Sequence, residues 1–76
     1  MPVPPAELTA TCTLEGTRAR ELAAASGIAR ESGPSEVLLS GPRTDVLRAV
    51  TEVVGASLDA GARTLTVRFD APTESR

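Results

Sequence analysis

The sequence predicts an α/β fold, a small two-layer sandwich in the order β-α-β-α-β with a three-stranded sheet and both helices on one face. Three observations predict it. Glu7 to Glu15 and Thr64 to Phe69 alternate polar and apolar residues with the period of a half-buried strand. Two longer segments carry apolar stripes at helical spacing, the stronger being Val46, Leu47, Val50, Val53, Val54 and Leu58. Gly or Pro marks the junctions, at Gly16, Gly33-Pro34, Gly41-Pro42 and Gly61.

Residues Met1 to Ala6 hold three prolines and read as a flexible arm, with the domain spanning residues 7–70 and a polar, loose tail over 71–76. In the first strand Leu8, Ala10, Cys12 and Leu14 share one face, and Glu7, Thr9, Thr11, Thr13 and Glu15 share the other. Cys12 therefore points inward and reads as a small buried hydrophobe. Gly16-Thr17-Arg18 turns the chain into a first helix with Thr17 as N-cap. Leu22, Ala25, Ile28 and Ala29 form its stripe, with Arg18, Arg20, Glu21, Arg30 and Glu31 outside. Gly27 inside such a helix costs about 1 kcal/mol relative to Ala, and Ser32-Gly33-Pro34 stops it.

Val37, Leu38 and Leu39 are consecutive in the second strand, Glu36 to Ser40, so its outer face also carries an apolar residue. Gly41-Pro42-Arg43 leads into the second helix, Thr44 to Ala60, which Gly61 caps and the last strand follows. The expected core is Leu8, Cys12, Leu14, Leu22, Ile28, Val37, Leu39, Val50, Val54, Leu58, Leu65, Val67 and Phe69. Right-handed crossovers with order 1-2-3 and an antiparallel open-faced sheet both satisfy this pattern.

Composition narrows the function. The 76 residues make one domain with a net charge of −2 and a single aromatic residue. Sequence-independent binding rests on phosphate neutralisation and base stacking, and a mildly acidic chain with one aromatic residue suits neither, so nucleic acid is not an expected partner. An anionic membrane surface is disfavoured for the same reason, and no apolar run reaches spanning length. All eight basic residues are Arg, which reads as coding bias. No signal peptide is read at Met1 and one cysteine makes no internal disulfide, so a cytoplasmic protein is expected. With no histidine and one cysteine, no metal and no cofactor is expected.

Three constellations carry candidate chemistry. Gly16, Thr17 and Arg18 open one helix, and Gly41, Arg43 and Thr44 open the other. If the first two strands run parallel, these starts lie side by side and Arg18 and Arg43 converge on a small anion. Ser40, Thr44 and Asp45 place hydroxyls beside a carboxylate, but without a histidine or lysine base helix capping explains them better. The outer sheet face gathers Leu38, Thr9, Thr11, Thr64, Thr66 and Arg68 into a nearly uncharged surface, the expected interface for self-association or a protein partner.

Gly16-Thr17-Arg18-Ala19-Arg20-Glu21, following a strand and opening a helix, resembles the Gly-x-His-Ala-Arg-Pro segment of histidine-containing phosphocarrier (HPr-like) proteins. Ser35-Glu36-Val37 is similar to their second-strand entry, and Ala60-Gly61 with the last strand to their later Gly-strand step. Arg18 takes the position of the phosphorylated histidine and Glu21 that of the proline, and the closing helix is missing. The resemblance thus implies a module without phosphocarrier activity. Val37 to Gly41 and Gly61-Ala62-Arg63 also look like the strand–helix–strand rhythm of STAS domains, whose Asp-Ser-x-Gly turn is missing. Pro2 and Leu14-Glu15-Gly16 resemble the opening of small tautomerases, which use an N-terminal proline amine as base, although Pro4 and Pro5 intervene before the strand. The reading is a small regulatory or protein-interaction module without catalysis, with the tautomerase-like enzyme as the alternative in another class.

Overall fold

A computed structural model describes residues 5–71 of the chain. Its elements are β1 (Glu7–Thr13), α1 (Thr17–Ala25), β2 (Ala29–Ser32), β3 (Glu36–Pro42), α2 (Arg43–Asp59) and β4 (Val67–Asp70). The α/β class holds, but the sheet has four strands, in the order β2-β3-β1-β4 with every pairing antiparallel. The order β-α-β-β-α-β in this arrangement is a split β-α-β topology. The parts of the expected arm and tail at residues 1–4 and 72–76 lie outside the described residues.

The fourth strand comes from the segment read as the end of the first helix. α1 stops at Ala25, because Gly27 adopts φ +79° and turns the chain back. Ser26 completes the stop. Its hydroxyl donates to the Ala23 carbonyl at 2.6 Å and accepts the Ile28 N–H at 3.3 Å. Ile28 and Ala29, expected on a helical stripe, pack half-buried against the core from the start of β2 instead. β2 and β3 form a hairpin closed by the Gly33 N–H on the Glu36 carbonyl, at 2.9 Å. Arg20, expected to be exposed, is half-buried, and its guanidinium donates to the carbonyls of Gly33 and Pro34. That fork ties α1 to the hairpin turn.

Two further boundaries move. Thr17 is the first helical residue rather than the cap. Gly16 holds the N-cap position with φ 91° and ψ 157°, a region open almost only to glycine, and no side chain caps the helix. A Cβ on Gly16 would meet the Ala60 Cβ at 2.9 Å, so the β1–α1 turn lies directly against the end of α2. The last strand starts at Val67 rather than Thr64. The Thr13 N–H reaches the Thr66 carbonyl at 3.0 Å, but the Thr66 N–H goes to Thr13 Oγ1 at 2.9 Å instead of continuing the ladder.

Helices α1 and α2 pack against each other and against the middle strands, α2 on β1 and β3 and α1 on β3. The core between them is Ala10, Cys12, Leu14, Val37, Leu39, Val46, Val50 and Val53, with Ala19, Ala23, Ala49 and Ala56 on the helices. Small residues on the helix faces let the backbones approach closely. This core uses more alanine than expected; of the expected residues, Leu8, Leu22, Ile28, Val54 and Val67 are half-buried against it, and Leu58, Leu65 and Phe69 do not join it. Leu58 is 54% exposed and Phe69 is 45% exposed. Leu65 is half-buried in the connection before β4. α2 ends as a Schellman turn, with the Ala62 N–H on the Ser57 carbonyl at 3.1 Å and the Gly61 N–H on the Leu58 carbonyl at 3.0 Å.

Candidate functional site

The register places the expected interface residues one by one. Thr9, Thr11 and Thr13 face away from the helices, because Ala10, Cys12 and Leu14 between them are buried. Across β1, Thr11 stands opposite Leu38 on β3 and opposite Arg68 on β4, and Thr9 stands opposite Ser40 and Asp70. Directly opposed residues share a face. Leu38, Thr9, Thr11 and Arg68 therefore lie together on the side of the sheet that no helix covers among the described residues. Thr66 continues this surface at the end of β1 through its bonds with Thr13. Thr64 is exposed in the connection before β4, outside the ladder, and does not join the group through strand pairing.

This face is polar around one leucine. Thr9 Oγ1 and Ser40 Oγ lie 3.4 Å apart and share a hydrogen bond between neighbouring strands. Leu38, Thr9, Thr11 and Thr13 are half-buried, and Thr66 is exposed. Arg68 Nε and Asp70 Oδ2 pair at 3.4 Å on an open rim, with side chains 76% and 54% exposed, and such a pair contributes little to stability.

The anion site expected from Gly16, Thr17, Arg18, Gly41, Arg43 and Thr44 rested on parallel strands. β1 and β3 are antiparallel, with Thr13 beside Glu36 and Glu7 beside Pro42. α1 follows the end of β1 and α2 follows the end of β3, so the two helix starts lie at opposite ends of the sheet, roughly 20 Å apart along the strands. Arg18 and Arg43 do not converge. At α2 the first N–H is already engaged, Arg43 donating to the Ala6 carbonyl at 2.9 Å. Asp45 sits in the first turn of α2, where a carboxylate suits the helix dipole, and is exposed.

Cys12 is fully buried, and burial pushes its thiol above the ordinary value. It lies among apolar neighbours, an environment that suppresses the thiolate needed for attack. Pro2 lies outside the described residues. Among the described residues no group of three or more acidic, His or Cys side chains could hold a metal ion, and no helix is long and apolar enough to cross a membrane.

Sequence reasoning missed one polar residue of the interior. Ser57 is fully buried on α2, and its Oγ accepts the Glu15 N–H at 3.0 Å. Val46, Val50, Val53 and Ser57 follow helical spacing, so a hydroxyl interrupting that stripe was the available signal. No protein-family model matches the chain, and neither a curated protein nor a solved structure matches it.

Proposed function

We propose that the protein is a small non-catalytic interaction module that docks another protein over its open sheet face, centred on Leu38. One observation carries the reading: Leu38, the central apolar residue of β3 on that side, stands beside Thr11 on a surface with no covering layer among the described residues. The face is hydroxyl-rich around Leu38, with Glu31 the register partner of Leu38 on β2 and with Arg68, Asp70 and Glu36 at its margins. It suits a partner that lays an apolar patch over Leu38 and hydrogen-bonding groups over the surrounding hydroxyls. Burying one leucine contributes about 1.5–3 kcal/mol, enough to anchor a contact that the threonine hydroxyls orient. The resemblance to a phosphocarrier module lacking its histidine supports the same non-catalytic role.

Leu38→Glu tests it. The variant should fold with an unchanged circular dichroism spectrum and lose the proteins that co-purify with the wild-type chain, while Arg48→Glu on the helix exterior retains them. Unchanged co-purification would remove Leu38 from the contact. Unfolding of the variant would show that this face is core.

A further inference from the structure

Among the described residues the fold leaves three large apolar side chains exposed, Leu47, Leu58 and Phe69. α2 rests its Val46–Val50–Val53 stripe on the sheet, and its buried Ala49 and Ala56 mark the flank that α1 covers. Leu47 and Leu58, eleven positions apart and so three turns along one stripe, occupy the opposite flank. In the order β2-β3-β1-β4, with α1 lying on β3 and α2 on β1 and β3, that flank faces the β4 side of the sheet. Phe69 stands opposite the buried Ala10, so it shows its ring on the helix side of β4, below this flank.

β4 is also an edge strand, and its free backbone groups can be identified. The Thr13 N–H bonds to the Thr66 carbonyl on the β4 side, whereas the Leu14 N–H bonds to the Ser35 carbonyl on the β3 side. Backbone groups alternate along a strand, so Thr66, Arg68 and Asp70 turn theirs toward β1, and Val67, Phe69 and Ala71 turn theirs outward. No strand pairs with that outer edge among the described residues. The other edge, β2, is interrupted by a bulge at Arg30, a feature that bends an edge away from further pairing.

We propose that a second copy of this chain occupies the β4 edge, pairing β4 to β4 antiparallel about a two-fold axis through Phe69. The sequence of the strand is complementary to itself in that register. Phe69 meets Phe69 as a hydrogen-bonded pair, and Val67 meets Ala71 on either side. Arg68 comes opposite Asp70 of the second copy and Asp70 opposite its Arg68, all on the open face, so each charge gains an opposite charge directly across the seam. A shift of two residues either way loses this reciprocity, and a shift of one puts the phenylalanines on the wrong face. On the helix side the two Phe69 rings close together, with Leu47 and Leu58 from both copies above them. A closed two-fold pair of this kind extends the sheet across both copies and consumes the free edge, so it does not propagate.

This goes beyond the docking of another protein on the open face, and the two are separable. The test is sedimentation equilibrium of wild type, Arg68→Asp, Asp70→Arg, the double variant carrying both changes, and Leu38→Glu, each checked for an unchanged urea midpoint under dilute conditions. The wild type should form dimers. Each single charge reversal sets like charges across the seam twice and should weaken dimerisation about tenfold or more, and the double variant should restore it. Leu38→Glu should dimerise as the wild type does. A wild type that stays monomeric at millimolar concentration overturns the proposal. So do single variants that dimerise normally, a double variant that stays dissociated, or a dimer abolished by Leu38→Glu, which would move the contact to the open face.

Discussion

Ser57 shows how much of this fold hangs on single polar contacts. The β1–α1 turn brings the Glu15 N–H into a partly buried position against α2, where the Ser57 hydroxyl accepts it. Beside it, Gly16 lies too close to Ala60 for any side chain. Ser57→Ala would leave the N–H without its partner and should lower stability by about 1–2 kcal/mol, read as a shift of the urea midpoint at constant slope. A midpoint that does not move would mean that water replaces the hydroxyl. The direct reading of residues succeeded at Cys12, Leu14, Val37, Leu39 and Val50, where period and environment agree. It failed at Phe69 and Leu58, because periodicity reports which way a side chain points and not whether another element covers it.

At the level of elements, the strands with strict alternation and the long helix were legible to within a few residues. β2 was not. Ala29-Arg30-Glu31-Ser32 has no apolar alternation, and its polar residues fit the outer face of a continuing helix equally well. The cost assigned to Gly27 inside a helix was the one local sign that the helix ended there, since its positive φ is what a chain reversal needs. The missed strand changed the topology, and with it went the convergence of Arg18 and Arg43. The stop depends on Ser26, whose hydroxyl bridges the Ala23 carbonyl and the Ile28 N–H. Ser26→Ala should destabilise the protein by about 1 kcal/mol, and amide exchange should quicken first at Ile28 and through β2. Uniform quickening across all elements, with no local effect, would argue against a capping role.

Across the whole molecule, cohesion is uneven. β1 and β3 have a strand on each side and helices over one face, whereas β4 has four residues, one neighbouring strand and an exposed phenylalanine. Regions with few buried contacts open at lower free energy than the core. Hydrogen exchange on a dilute sample should therefore find the slowest amides in β1, β3 and the buried face of α2. Within β4 it should find alternation, with Arg68 and Asp70 slowed by their bonds to β1 while Val67 and Phe69 exchange close to the rate of an unstructured peptide. Concentrating the sample should protect Val67 and Phe69 selectively, because a second β4 engages only the outward groups, and should leave β2 unchanged. Val67 and Phe69 amides already slow in the dilute monomer would show that the β4 edge is closed by something within the chain, and no second copy could then pair there.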